Sequence, residues 1–530
     1  MRPSISYILI CSIFCTGIYV PFFGGIFEED KDTSKIEKRS LSKFPEIDIT
    51  LDGISNFPKL FDTYYTDHFG IRDQLVEYYK SVKYNLGDSP SDDVTLGKDG
   101  WLFLGSIKKG YNKYSDPIGD ARNINLFSDD ELQKLANDMA FLNSWLNSRD
   151  IKYILVIVPN KHTVYLDKLP DYISKSNEKS STDQLVNYLE QYTNVTVVDL
   201  RKKLIERKNE HQLYFKTDTH WNHYGANIAQ YEIIREIEKF FPNSIKSEYR
   251  KMQDGVLGGG DLAGFIGITD FNESNPQPVF EKTCDPIKHP ASTKIREPHS
   301  YSCDGPELTA LIYRDSFFSA LQPYFARKFK RSTYIWKKLT YASLNKYVDT
   351  ENPDIVIEEW VERSLPLIPE FEAGFKNDLN KKRFVCSDNP IFINKFKELT
   401  YNGQIKRIRA TNESLSIEST GKNPLIIFPA LSAENGNEYI VHIALKSSVK
   451  STLQLFYSDS EVTGFSSSEA SSIQISIRAG NNDIYMALDS ENIGNRLRFK
   501  PISMPGKVGI KTIEIRKIDN QLTKTCNQTK

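Results

Sequence analysis

Residues 128–158 read SDDELQKLANDMAFLNSWLNSRDIKYILVIV, a helix pattern running straight into a strand pattern. Ser128 with Glu131 three positions later is a capping-box signature, in which each side chain satisfies a backbone N–H at the start of a helix. Leu132, Leu135, Met139, Leu142 and Leu146 then recur at helical spacing. YILVIV at 153–158 follows with no polar residue. A strand with one face in water alternates, so a continuous apolar run of this length predicts a strand buried on both faces.

The same alternation extends in both directions. A helix at 182–192 leads to VTVVDL at 195–200, and a helix at 223–240 follows DTHWNHYG. LTALIY at 308–313 leads into a helix beginning near Ser316, and YIW near 334 and DIVIEEW at 354–360 complete the set. Strands alternating with helices imply right-handed crossovers and a parallel α/β sheet with helices on both faces. In such sheets ligands bind beyond the carboxyl ends of the strands.

The flanks read differently. Residues 57–85 have a helical pattern, and DSPSDDVTLGKDGWLFLG at 88–105 is turn-rich with a short strand at Trp101–Leu104. After about residue 395, short alternating runs such as SLSIES, YIVHIALKS, STLQLFYS, SIQISIRAG and TIEIRKI are broken by Gly, Asn, Ser and Pro. Those runs predict an antiparallel β-sandwich. From Ile5 to Phe27 no residue is charged, and Arg2 precedes the segment. It is about the ~20 residues that cross a bilayer as a helix, and with no convincing small-x-small cleavage site a retained signal-anchor is expected rather than a cleaved signal peptide. The expected layout is a membrane segment at 1–28, a linker at 29–56, an α/β domain at 57–390 and a β-sandwich at 400–530.

Composition bounds the partners. The chain has 530 residues, more than one hydrophobic core normally serves, and a formal net charge of -1. Neither a global basic field nor a local Lys/Arg-rich run is present to hold a nucleic acid backbone, so no nucleic acid partner is expected. Cys11 and Cys15 lie in the apolar segment, leaving four cysteines that allow three pairings. Cys284 with Cys303 and Cys386 with Cys526 are favoured, on the oxidising side of the membrane. No C-x-x-C spacing or His cluster accompanies them, so neither a metal nor a cofactor is expected.

Two segments carry types of residue suited to nucleophilic catalysis. KTDTHWNHYGAN at 216–227 sets Asp218 and His220 in a loop before a helix, and IYRDSFFSAL at 312–321 sets Ser316 at a strand-to-helix turn. A nucleophilic serine needs a base, and that imidazole needs a carboxylate to fix its tautomer. Taken alone, Ser316 or Asp315 reads more simply as a helix cap, and Asp-x-His as an ordinary loop pair. Lys161 and His162 follow YILVIVPN at its carboxyl end, where a ligand contact and a solvated loop are equally open. His223 reads as a partly exposed helix-start residue, and His68 as a capping or ion-pair residue.

VVDL followed by DTHWNHYGA and a helix resembles the closing block of SGNH hydrolases, and DSF after a buried strand resembles their serine block. PDIVIEEW resembles the strand that follows it. Here the closing block precedes the serine block, which is similar to the circularly permuted arrangement of the alginate O-acetyltransferases of the AlgX and AlgJ type and related DHHW proteins. GKDGWLFLG at 97–105 and YYTDHFGIRDQL at 64–75 resemble the N-terminal parts of that family, and the likeness covers roughly residues 57–370. The resemblance implies an SGNH-like, flavodoxin-like fold in which Ser316 is the nucleophile, His220 the base and Asp218 its orienting carboxylate. Lys161, Trp221, Arg314 and Arg363 are the expected substrate-binding residues. It further implies acetylation of an extracellular or envelope polysaccharide, an integral-membrane acyltransferase partner that brings acetyl groups across the membrane, and a carbohydrate-binding C-terminal module. Arg314 stands where the serine block usually has Gly, and Glu362-Arg363 stand where Gly-x-Asn is usual. Those departures leave open an inactive tethered protein that binds or assembles a polysaccharide, and an esterase stays open because water or a sugar can take the acyl group in the second step.

Overall fold

The structure is a computed structural model that describes residues 5–27, 31–34, 39–46, 49–105, 116–267, 271–280, 284–290, 294, 296–365, 370–387, 389–434, 436–457, 471–488 and 497–518. The chain forms two compact units, one of residues 1–339 with 344–369 and one of 340–343 with 370–530.

The first unit is built on a seven-stranded sheet. Its strands are β1 (Lys152–Val158), β2 (Thr196–Asp199), β3 (Ile287–His289), β4 (His299–Ser302), β5 (Thr309–Tyr313), β6 (Arg331–Ile335) and β7 (Ile355–Val361). They lie in the order β3-β4-β6-β5-β7-β1-β2. The five strands from β6 to β2 run parallel, whereas β3 and β4 are antiparallel. The sheet is therefore mixed, not wholly parallel as expected. The Pro-rich segment closed by the Cys284–Cys303 disulfide folds as a short hairpin and covers the open edge of β6, an edge that otherwise presents unpaired backbone groups. Three- and four-residue strands are too short to carry a readable alternation.

The helices include α1 (Ile5–Phe27), α2 (Leu51–His68), α3 (Arg72–Asn85), α4 (Asp129–Asn147), α5 (Ser181–Tyr192), α6 (Arg201–Arg207), α7 (His223–Phe240) and α8 (Asp261–Ile266). α4 begins with the expected capping box, and its five predicted apolar positions are all buried. Every residue of β7 is buried, and so is every residue of β1 after Lys152. Ile154, Val156, Val158, Ile312 and Ile357 share one core with Ile233, Ile234 and Ile237 of α7. Truncating any one of these isoleucines to Ala costs about 2–5 kcal/mol, from the lost burial of its methyl groups and the cavity left behind.

The structure departs from two further expectations. The helical pattern at 57–85 is two helices, broken where Ile71 adopts a left-handed backbone at φ 57° between α2 and α3. The helix expected from Ser316 is a 3-10 turn, Phe317–Ala320, followed by a single α turn, Gln322–Phe325, with Pro323 in it. Among the described residues no helix is long and apolar enough to cross a membrane, so the anchor expected at 1–28 has no support from the structure.

The second unit is β-rich. A helix α9 (Phe371–Val385) precedes strands β8 (Asn389–Ile393), β9 (Thr400–Tyr401), β10 (Ile405–Ala410), β11 (Leu415–Ser419), β12 (Ile426–Ile427), β13 (Tyr439–Ser447), β14 (Ser451–Tyr457), β15 (Ser471–Ile477), β16 (Gly480–Leu488), β17 (Leu497–Lys500) and β18 (Gly506–Lys517). One sheet has the order β10-β11-β18-β13-β16 with β8 also on β18, and the other β9-β12-β17-β14-β15. Leu415, Ile417, Val441, Ile443, Leu453, Leu455, Phe499 and Ile510 lie in one core drawn from both sheets. Cys386 is disulfide-bonded; its expected partner, Cys526, lies outside the described residues.

Candidate active site

Ser316 follows β5 by three residues, at the carboxyl edge of the parallel strands. Asp315 fixes the turn that presents it. One of its carboxylate oxygens accepts from Phe317 N–H at 2.8 Å and the other from Val361 N–H at 2.9 Å, tying the serine turn to the end of β7. The Asp315 N–H in turn donates to Glu359 Oε2 at 3.1 Å. Burial, with the Asp315 charge added to it, raises the Glu359 carboxyl well above the usual carboxylate range.

The imidazole comes from the loop before α7. Asn222 caps that helix, its Oδ1 accepting from Tyr224 and Gly225 N–H, and Trp221 Nε1 donates to Phe317 O at 3.1 Å. The Trp221 indole therefore fastens the histidine loop to the serine turn. Across that junction Ser316 Oγ lies 2.7 Å from His220 Nε2, and His220 Nδ1 lies 2.7 Å from Asp218 Oδ1. Those partners assign the tautomer: Nδ1–H donates to the carboxylate, leaving Nε2 to accept from the hydroxyl.

Asp218 is held by more than the ring. Its Oδ1 also accepts His220 N–H at 2.9 Å and its Oδ2 accepts Asp261 N–H at 2.9 Å. Burial alone would raise this carboxyl; the bonds and charge of His220 and the Asp261 amide outweigh it and hold it at about 2. A full negative charge opposite Nδ1 is what stabilises an imidazolium.

The structure brings together Ser316, His220 and Asp218, and it gives the other expected residues separate places. Lys161 is buried, and its ammonium donates to the carbonyls of Phe215, Lys216 and Asp218 at 3.1, 3.2 and 2.7 Å. Buried among three carbonyls of one segment, Lys161 clamps the histidine loop instead of meeting substrate. Burial pulls its pKa down to about 7, opposed by the charges of Asp218, Asp261 and Glu273. Arg314 is fully buried, donating to Asp315 O at 3.0 Å and Ser319 Oγ at 2.8 Å, with its guanidinium 4.4 Å from the Trp336 ring. Its place in the serine block is structural. Trp221 is likewise buried. Arg363, of the four, remains partly accessible.

Several residues at the site carry no local sequence signal. Asp261 accepts Thr219 N–H at 2.8 Å and Thr219 Oγ1–H at 2.6 Å, while Glu273 accepts the N–H groups of Lys216 and Thr217. Asn160 is buried and accepts from Arg363 Nη1 at 2.7 Å. His162, read as a loop residue, is buried with Nε2 2.9 Å from Leu104 O, and burial lowers its pKa to about 3. Among the described residues Asp218, His220 and Asp261 are the group whose donor atoms lie within 4.8 Å of one another. Both imidazole nitrogens there already have hydrogen-bond partners, so the trio shares no free imidazole lone pair for a cation.

The profile of a family described as SGNH hydrolase-like domain, acetyltransferase AlgX, matches residues 94–295, a span that contains Asp218 and His220 and ends before Ser316. Probable alginate O-acetylase AlgJ of Pseudomonas aeruginosa is 24% identical over 227 residues, 41% of this chain and 52% of that protein. The corresponding protein of Pseudomonas putida is 24% identical over 381 residues, 68% of this chain and 87% of its own length. The matched region thus spans about half the length of the first relative. The structure of Pseudomonas aeruginosa AlgX aligns with a TM-score of 0.40 at 14% identity, covering 80% of this chain and 95% of that one. The resemblance read from DTHWNHYGA and DSF is borne out: the chain is similar to the SGNH hydrolase-like O-acetyltransferases of the AlgX and AlgJ type.

Proposed function

We propose that the chain is a serine-dependent O-acyltransferase that acetylates an extracellular or envelope polysaccharide. The observation that carries this reading is the Ser316–His220–Asp218 chain of two 2.7 Å contacts. Ser316 Oγ attacks the acetyl carbonyl of a donor ester, forming the O–C bond as His220 Nε2 takes the hydroxyl proton. The tetrahedral intermediate collapses, the donor's C–O bond breaks, and His220 returns the proton to the departing oxygen. A sugar hydroxyl then loses its proton to His220 and attacks the acetyl-Ser316, releasing the serine and leaving the acetyl group on the sugar. Water in place of the sugar gives an esterase.

The chain order, His220 before Ser316, supports the circularly permuted SGNH arrangement. The two antiparallel sheets of the second unit sharing one core support a β-sandwich of the carbohydrate-binding kind. Its outer face supports polymer contact. Arg409 pairs across to Ser416, Ser416 to Gly509 and Gly509 to Lys446, in one row over four strands. Arg409, Lys446 and the nearby Lys507 and Lys511 are exposed and make no ion pair or side-chain hydrogen bond among the described residues. An envelope location and a membrane acyltransferase as donor partner follow from the family likeness.

Hydrolysis of 4-nitrophenyl acetate by the purified chain tests the chemistry. Ser316→Ala and His220→Ala are expected to lower kcat by roughly 10³-fold or more, and Asp218→Asn by a smaller factor. Equal turnover by Ser316→Ala and the parent removes the serine mechanism. An oligosaccharide acceptor added to the same assay separates transfer from hydrolysis by acetyl appearing on the sugar. The inactive-protein reading rests on Arg314 and on the missing Gly-x-Asn, and the bonds of Arg314 to Asp315 O and Ser319 Oγ support a bracing role for the first.

A further inference from the structure

Attack of Ser316 would place a negative charge on the carbonyl oxygen, and hydrogen-bond donors aimed at that oxygen commonly lower the barrier more than any other single feature of such a site. Three consecutive amides surround the serine. The outer two are committed: Asp315 N–H to Glu359 Oε2 and Phe317 N–H to Asp315 Oδ1. Ser316 N–H makes no hydrogen bond among the described residues. One amide is thus left free by buried carboxyl groups on either side, and one donor alone is an incomplete oxyanion hole.

The neighbouring strand ends supply another. β5, β7 and β1 are adjacent and parallel, and their carboxyl ends deliver Ser316, Arg363 and Asn160. Val361, two residues before Arg363, is bonded to Asp315, so the serine turn and the arginine share one anchor. Arg363 stacks its guanidinium 5.4 Å from the centre of the Phe317 ring, and the His220 ring lies 4.8 Å from that same centre. Asn160 Oδ1 takes one Nη1 proton at 2.7 Å. Asn160 is itself fixed, its N–H donating to Glu362 Oε2 at 2.7 Å and its Nδ2 to Asp120 Oδ2 at 3.3 Å. Arg363 forms no carboxylate ion pair among the described residues. A partly buried guanidinium with one proton fixed and the rest uncommitted is a donor held for an anion.

We propose that Arg363 is the second oxyanion donor, completing with Ser316 N–H the site that ordinary SGNH enzymes build from Gly and Asn, and that Asn160 is the positioning residue that aims it. This rests on Ser316 being the nucleophile. Arg363 occupies the strand end where those enzymes carry Gly-x-Asn, so a charged fork replaces a neutral amide at the same edge of the sheet.

The test uses the full chain and 4-nitrophenyl acetate. Arg363→Ala is expected to lose roughly 100-fold in kcat with KM within twofold, the cost of one oxyanion donor. Millimolar guanidinium ion added to Arg363→Ala restores part of that loss, which a purely structural role would not allow. Asn160→Ala loses roughly tenfold in kcat, and the Arg363→Ala/Asn160→Ala pair is no slower than Arg363→Ala alone, because the two act as one unit. Should Arg363→Ala fail to fold, Arg363→Lys decides: a kcat loss of roughly tenfold or more at constant KM supports the role. An unchanged kcat for the folded Arg363 variants, or a loss confined to KM, overturns it. Ser316→Ala run alongside keeps the two questions apart. If it retains full turnover the nucleophile itself is wrong, whereas a dead Ser316→Ala beside a fully active Arg363→Lys sinks only the oxyanion assignment.

Discussion

Asp120 sits among buried groups behind Asn160, and burial pushes its carboxyl up to about 7, opposed by the Asn125 and Asn160 hydrogen bonds and reinforced by the Glu362 charge. Between its ordinary value of 3.8 and about 7 the folded protein therefore holds a proton that the unfolded chain releases. Stability contributed by this group is complete below 3.8 and falls as pH rises through that window. Asp120→Asn mimics the protonated form, so its melting temperature relative to the parent is expected to be higher at pH 8 than at pH 4, by roughly 2–4 °C or more. A difference that does not change with pH would contradict the assignment. At this scale the legible residues are those whose meaning is local. Asp218 and His220 lie two apart in one loop, and Ser316 follows a buried strand. Arg314 reads from sequence as a residue free to meet substrate, whereas carbonyl and hydroxyl acceptors and a Trp face satisfy its charge in the interior. Asp261, Glu273 and Asn160 are silent in the sequence because their work is on residues 42 to 203 positions away.

The histidine loop and α8 show how elements set those residues. Gly260 precedes α8, and a Cβ there would lie 2.4 Å from Asp218 Cβ and 2.5 Å from Thr217 O. Only a residue without a side chain lets α8 close on the loop and bring Asp261 N–H to Asp218. Gly260→Ala is expected to lower kcat on 4-nitrophenyl acetate by roughly tenfold or more and to destabilise by about 1–3 kcal/mol, since the added atom meets backbone that cannot give. Gly258→Ala is the control, because a Cβ there meets nothing within 4 Å. Equal activity of the two variants would mean the loop tolerates displacement. Strongly periodic elements are readable, α4 and β1 above all, since burial on fixed faces writes itself into the sequence. The break between α2 and α3, and the 3-10 turn after Ser316, are not, because each depends on a single residue's backbone angle or on tertiary anchors such as Asp315.

For the whole molecule, the alternating strands announce an α/β unit and the later short runs a β-rich one, because the two periods differ. The antiparallel hairpin that makes the main sheet mixed is hidden in Pro-rich sequence, where pairing is imposed by the disulfide and by a waiting strand edge. The unpaired cations of the second unit predict a whole-chain property. Lys446→Glu with Lys507→Glu is expected to weaken binding of the full chain to polygalacturonate several-fold at low salt, with little effect at high salt, while ester hydrolysis is unchanged. Binding that ignores both substitutions would separate this face from the polymer. The mechanism turns on one covalent bond at Ser316, and intact-mass analysis after incubation with a sulfonyl fluoride reports it. One adduct per chain is expected, on the peptide containing Ser316, and none in Ser316→Ala or after His220→Ala has disabled the base. An adduct on another residue that abolishes turnover, with Ser316 unmodified, would contradict it.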